Sequence, residues 1–329
     1  MESEQNHKIL ELRDSDFREA ALETFHFQYE HNPLYQSYCR LLGVNPSAIS
    51  ELEQVPFLPI GFFKSQAVRT GKFEPQIRFE SSGTTGMTNS RHELPDTAVY
   101  EMSFRKGFQQ FYGDIKSYCI LGLLPSYLER GNSSLVYMVN DWIRESEHPL
   151  SGFYLNEWEK LHQTLCRLEQ ERQPTILIGV SFALLDFAEH YPMPLRSVKL
   201  IETGGMKGRR REMQRAELHD LLKKAFSLNE IGSEYGMTEL LSQAYALRDG
   251  RFSTVPWMKV LLREEDDPLQ ILPEGKPGRG AINIIDLANR YSCAFIATDD
   301  AGRTHADGSF EVLGRLDNSD IRGCSLLVV

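Results

Sequence analysis

The chain has 329 residues, 41% hydrophobic and 25% charged, with a formal net charge of -10 at pH 7. That balance belongs to an ordinary folded protein, long enough for two or three packed subdomains rather than one core. The acidic excess argues against nucleic-acid binding by bulk electrostatics and against attraction to an anionic membrane surface.

From the N-terminus, MESEQNHKILELRDSDF lacks the apolar stretch of a signal peptide, and no later run approaches a membrane span. Residues 1–60 read as helical: Asp16 stands where a cap would precede Phe17, Ala21, Leu22 and Phe25, and a second helix is expected after Asn32-Pro33. From 75 to 235 helices and strands alternate. A helix beginning near Asp96 places Tyr100, Phe104, Phe108 and Phe111 inward, and the strand-like SYCILGLL (117–124) follows it. A helix from Asn156 carries Trp158, Leu161, Leu165 and Leu168 at helical spacing and stops at Gln173-Pro174. The apolar TILIGV (175–180) comes next, then a helix from Ser181, then SVKLIETGG, then a charged helix over 209–225. Continuous apolar strands between helices point to mixed or parallel sheets covered by helices. After residue 245 the turns RDG, PEGKPGRG, DDAG and DG separate short strand-like runs, which predicts a small antiparallel sheet or barrel.

Five cysteines (Cys39, Cys119, Cys166, Cys293 and Cys324) are scattered without CxxC spacing, as expected of reduced thiols in a cytoplasmic protein rather than a disulfide scaffold or zinc site. The histidines show no metal-ligand spacing, since His26 and His31 are five apart. A metal site made only of protein side chains is not expected.

One loop stands out. SSGTTG (Ser81, Ser82, Gly83, Thr84, Thr85, Gly86) gathers small hydroxyls and glycines directly after a strand-like IRF. Small residues let backbone N–H groups approach an anion closely, and hydroxyls add donors around it. Taken alone, the loop reads equally as a phosphate cradle or as a solvated turn. It is not a Walker loop, because no Gly-Lys-Ser/Thr follows Gly86. In YGMTE (235–239), Tyr235 is suited to stack on a base, Thr238 to meet a phosphate and Glu239 to hold Mg²⁺. The same residues read as a tight turn, with Thr238 capping a helix from Glu239 to Gln243. TDDAGR and GRLD (298–317) supply an acidic pair suited to ribose hydroxyls, or two hairpin turns.

In this order and spacing the motifs resemble the adenylate-forming superfamily, which includes acyl-CoA ligases and the adenylation domains of peptide synthetases. The resemblance covers 75–323. It implies an α/β fold: a large core of helix-covered sheets plus a small β-barrel-like subdomain, lacking the family's mobile C-terminal domain. The expected divisions are a helical segment over 1–74, an adenylation core over 75–244, a β-rich subdomain over 245–317 and a tail over 318–329. It implies attack of a carboxylate on the α-phosphate of ATP, with release of pyrophosphate and formation of an acyl-adenylate.

Residue by residue, the resemblance assigns Ser81, Ser82, Thr84 and Thr85, with Gly83 and Gly86, to the β- and γ-phosphates. Gly204 and Gly205 of GGMK form the adenine-side turn, and Tyr235 stacks on adenine. Thr238 meets the α-phosphate, Glu239 binds Mg²⁺, Asp300 takes the ribose hydroxyls, Arg315 a ribose or phosphate oxygen, and Asp317 marks the hinge. The usual loop lysine is replaced by Met87-Thr88-Asn89-Ser90 before Arg91, and the chain ends 12 residues after Asp317.

That ending, with a cysteine in IRGCSLLVV, is similar to the acyl-protein synthetases (LuxE type) of the bioluminescence fatty-acid reductase complex. The resemblance implies a fatty acid activated as its adenylate, transfer to Cys324 as a thioester, and delivery to a reductase or acyl transferase partner. A shortened CoA ligase, with CoA as acceptor, and a non-catalytic nucleotide-binding regulatory module are the alternatives.

Overall fold

A computed structural model describes residues 9–81, 88–125, 131–204 and 213–316. Its centre is a six-stranded sheet built from the apolar runs. The strands β4 (Cys119–Leu123), β5 (Gly152–Phe153), β6 (Thr175–Val180), β7 (Val198–Thr203), β8 (Gly232–Tyr235) and β9 (Ala244–Ala246) lie in the order β5-β4-β6-β7-β8-β9. All neighbours are parallel except β8 and β9. Every residue of β4, β6 and β8 is buried, as a parallel sheet covered on both faces requires.

The cover is helical. Among the described residues the helices are α1 (Phe17–His31), α2 (Pro33–Leu41), α3 (Phe62–Ser65), α4 (Ala98–Tyr112), α5 (Ser134–Ser146), α6 (Trp158–Glu171), α7 (Ser181–His190) and α8 (Arg215–Phe226). In α4 the buried stripe runs through Tyr100, Phe104, Phe108 and Tyr112; Phe111, expected inward, is only partly buried. The start expected near Asp96 lies close by, and Asp96 Oδ1 accepts from the Ala98 N–H at 2.9 Å. Asn32 caps α2 by accepting from Tyr35 N at 3.0 Å, with Pro33 at the first position, where its missing N–H costs nothing. Asp16, by contrast, precedes α1 without a side-chain capping bond.

The turn-rich C-terminal part forms the expected second sheet. Strands β10 (Met258–Arg263), β11 (Gly278–Asp286), β12 (Phe295–Thr304) and β13 (Phe310–Arg315) pair antiparallel. A short N-terminal strand, β1 (Leu58–Pro59), adds to β12 in parallel. The N-terminal helices lean on this sheet: Gln28 Nε2 donates to the carbonyls of Asn289 and Arg290, each at 2.9 Å, and Phe25 meets Phe295 edge-on. Strands β2 (Ile77–Glu80) and β3 (Arg91–Leu94) form a separate two-stranded ladder flanking the Ser/Thr/Gly loop.

Candidate nucleotide and acyl-activation site

Strands β4, β6, β7 and β8 point the same way, so the segments after them meet along one edge, the C-terminal edge at which open α/β sheets place ligands. Gly204 follows β7 there, with φ 67°, a left-handed conformation that favours glycine. Its carbonyl accepts from Ser181 Oγ at 2.7 Å, at the start of α7. Gly205 lies outside the described residues.

The Tyr235–Glu239 segment follows β8 along the same edge. Tyr235 Oη donates to Asp300 Oδ2 at 2.7 Å. Its ring contacts Phe252 and Phe310, with centroids 5.9 and 5.8 Å away. Asp300 stands in β12 opposite Arg315 of β13. Burial raises the Asp300 carboxyl, while the Tyr235 hydroxyl and the Arg315 charge favour its ionised form. The same Arg315 charge acts on Glu239, whose carboxyl is raised by burial and lowered by Ser90, Lys64 and Arg315. Tyr235, Glu239, Asp300 and Arg315 are therefore one electrostatic neighbourhood, with Thr238 in the turn between the first two.

No helix runs from Glu239 to Gln243, so Thr238 is not a helix cap. The turn is held by side chains instead. Thr238 O faces His92 Nδ1 at 2.8 Å, and Glu239 O accepts from Asn289 Nδ2 at 2.7 Å. Asp286 Oδ2 accepts from the N–H groups of Leu241 and Ser242 at 2.8 and 2.9 Å. None of His92, Asn289 or Asp286 was singled out from the sequence. Their sequence signal, an isolated polar residue in or beside an apolar strand, is the same as that of a solvated edge.

Beside the turn lie two buried carboxylates. Glu202 is ionised: burial opposes this, but His219, Arg215 and Ser233 outweigh it and hold the carboxyl below its ordinary range. Arg215 Nε donates to it at 2.8 Å, Arg215 Nη1 reaches Val312 O at 3.0 Å, and the guanidinium sits 5.0 Å from the Phe252 centroid. Glu234 accepts from the Thr203 hydroxyl, and burial pushes its carboxyl up to about 7. A Cβ at Gly236 would meet the end of the Glu234 side chain and push its carboxylate aside.

Of the loop, Ser81 is described, and Ser82, Gly83, Thr84, Thr85 and Gly86 lie outside the described residues. The two ends of the loop are pinned together: Ser81 N donates to Ser90 O at 3.1 Å, and Ser90 N to Ser81 Oγ at 2.9 Å. Arg91 is exposed and stands opposite Glu80 in the ladder. Asp317 and Cys324 also lie outside the described residues. Among the described residues no group of three or more His, Cys, Asp or Glu is placed to hold a metal, and no helix is long and apolar enough to cross a membrane.

No protein-family model matches the chain, and no curated protein matches it by sequence. Solved structures do. A 2-hydroxyisobutyryl-CoA ligase in an open conformation with 2-HIB-AMP and CoA matches 93% of this chain and 75% of its own, with a TM-score of 0.67 at 13% identity. MatB from Rhodopseudomonas palustris with ATP bound matches over 74% of this chain, with a TM-score of 0.55 at 14% identity. O-succinylbenzoate coenzyme A synthetase (MenE) from Bacillus subtilis, in complex with AMP, matches over 75%, with a TM-score of 0.50 at 15% identity. The chain spans about half the length of the last two, 49% and 50%. At these identities the likeness concerns the fold, and the chain has the α/β fold of the core of adenylate-forming ligases.

Proposed function

We propose that this protein activates a carboxylic acid at the expense of ATP. In this reading the carboxylate oxygen attacks the α-phosphorus, the bond to the β-phosphate oxygen breaks, pyrophosphate leaves and an acyl-adenylate remains. The observation that carries the reading is the meeting of Tyr235, Glu239, Asp300 and Arg315, around Thr238, at the C-terminal edge of the parallel sheet.

The chemistry asks mainly for positioning and charge neutralisation around phosphate oxygens. Tyr235 offers its ring to the adenine, backed by the fully buried Phe252. Asp300, fixed by Tyr235, accepts from the ribose hydroxyls. Thr238 and Arg315 address the phosphate oxygens, while the loop Ser81–Gly86 and the Gly204–Gly205 turn enclose the nucleotide with backbone donors.

Mg²⁺ fits this residue set only as a phosphate-held ion. A single buried carboxyl, Glu239 at 5% exposure, is offered, and Mg²⁺ commonly binds through one or two carboxylates plus substrate phosphates. Such an ion would neutralise phosphate charge as pyrophosphate leaves. Glu239 then has the task of carrying an anionic form against its own burial.

The acyl group then passes, in this proposal, to Cys324: the thiolate attacks the acyl carbonyl, AMP leaves and a thioester forms for delivery to a reductase or acyl transferase. Arg322 stands two residues before Cys324, and a nearby cation favours the thiolate. Three of the other cysteines, Cys39, Cys119 and Cys293, are poor acceptors. Burial pushes Cys119 up to about 11, Cys39 up to about 12 and Cys293 higher still. A CoA acceptor is the second reading, favoured by the fold shared with a ligase solved with CoA.

Intact-protein mass spectrometry after incubation with ATP, Mg²⁺ and a panel of fatty and other carboxylic acids tests the proposal. A hydroxylamine-labile acyl adduct in wild type, absent from Cys324→Ser while pyrophosphate exchange continues, is the expected result. Free acyl-CoA formed only when CoA is present would replace the carrier step with the CoA reading. Exchange at background with every acid would refute adenylation itself and leave a nucleotide-binding module.

A further inference from the structure

The segment carrying Thr238 and Glu239 has no regular strand or helix to fix it, yet two of its carbonyls are held by side chains distant in sequence. The more informative partner is His92. It lies in β3, six residues beyond Gly86, on the strand by which the chain leaves the Ser/Thr/Gly loop. Its ring is fully buried and packs edge-on against Phe63 at 5.7 Å.

Both ring nitrogens are in use, at 2.8 Å from Thr238 O and 2.9 Å from Ser292 Oγ. A carbonyl only accepts, so Nδ1 carries the proton and donates to Thr238 O. Burial lowers the imidazole to about 4, so it is neutral at physiological pH. Nε2 is then free of a proton and accepts from the Ser292 hydroxyl.

The same segment, Ser90 and the strand that follows it, reaches the turn twice. Ser90, whose backbone closes the base of the loop on Ser81, favours the ionised form of the Glu239 carboxyl. His92, two residues on in β3, holds the carbonyl just before Glu239. The segment leaving the loop thereby touches both Thr238 and Glu239.

Resting on the adenylation reading, we propose that His92 is a positioning residue that fixes the Thr238–Glu239 turn to β3. Through the Nδ1–H bond, which holds Thr238 and Glu239 in place, binding of ATP and of Mg²⁺ favour one another. Such coupling is reciprocal: the metal must raise ATP affinity by the same factor as ATP raises metal affinity.

Two substitutions separate this role from mere packing. In His92→Asn the amide nitrogen stands near the Nδ1 position and still donates to Thr238 O. In His92→Gln the amide extends towards Ser292, and the Thr238 bond is lost. ATP binding by calorimetry with and without Mg²⁺ should show the metal-dependent gain in affinity preserved in His92→Asn and reduced about tenfold in His92→Gln, the worth of one hydrogen bond. The Mg²⁺ concentration for half-maximal pyrophosphate exchange should rise in His92→Gln alone.

Equal metal coupling in the two variants, whether both match wild type or both fall in step with their melting temperatures, would overturn the proposal. Wild-type protein that binds ATP with Mg²⁺ but never exchanges pyrophosphate would remove the adenylation reading. The calorimetric contrast between the variants would then still decide the role of His92. A wild type that binds no ATP would overturn both.

Discussion

The phenolic hydroxyl of Tyr235 donates to Asp300 Oδ2 at 2.7 Å, joining the last parallel strand of one sheet to the antiparallel sheet 65 residues further on. The bond fixes the orientation of a carboxylate that burial would otherwise leave short of partners. Tyr235→Phe keeps the aromatic surface and frees Asp300. Hydrogen bonds to charged groups are worth roughly 1.5–3 kcal/mol, so ATP affinity should fall about tenfold or more. Asp300→Ala should lower it at every Mg²⁺ concentration. Titration of ATP alongside thermal melts checks this: lost stability with unchanged affinity in the folded fraction would assign the pair to packing.

Glu239→Gln conserves shape and removes the charge assigned to the metal. The exchange rate should drop, and raising Mg²⁺ should restore part of it, because the phosphates continue to hold the ion. A metal dependence identical to that of wild type would take Glu239 out of the metal site.

Thr84→Val with Thr85→Val removes two donors at nearly constant size from the loop assigned to the phosphates. A lost hydrogen bond to a charged phosphate costs roughly 1.5–3 kcal/mol, or about ten- to a hundredfold in rate. Pyrophosphate exchange in the double variant, normalised to folded protein, measures it, and a wild-type rate would reject the cradle.

Glu234 makes stability depend on pH. Burial is the main cause that pushes its carboxyl up to about 7, with the Glu202 charge adding and the Thr203 hydroxyl opposing. Between about pH 4.5 and 7 the unfolded chain has released this proton and the native protein keeps it, so this group's contribution to stability falls as pH rises through that window. The loss is roughly 3 kcal/mol, from a shift of about two and a half pH units. Glu234→Gln, neutral at all pH, should match wild type at pH 5 and exceed it at pH 8 in urea denaturation. An equal difference at both pH values would mean that Glu234 is not titrating in this range.

Arg215 neutralises the buried Glu202 and ties α8 to β13 through Val312 O. Arg215→Ala removes the cationic partner of a carboxylate that is only 2% exposed, leaving it to His219, Ser233 and Ser181, and breaking such a pair from one side costs about 3 kcal/mol. Adding Glu202→Gln should recover most of that loss. Non-additivity in urea denaturation measures the coupling, and strictly additive losses would make the pair independent.

The parallel core was legible because its strands are continuous apolar runs of the right length, TILIGV above all, and such runs are stable only between covering layers. The second sheet was legible from its Gly- and Asp-rich turns. YGMTE and TDDAGR also marked residues that the folded chain brings together, Tyr235 and Asp300, since local backbone demands leave marks in composition. What the sequence could not disclose is which distant polar residues meet. Thr238 was open to reading as a helix cap, and only the folded chain shows its carbonyl on His92, 146 residues away. The same holds for Gln28 under Asn289, Arg215 on Glu202, and β1 added to the edge of β12. Apolar periodicity is a local signal with a fixed repeat. A single buried hydrogen bond between remote segments has no period, and its partner is chosen by the packing of every layer between them.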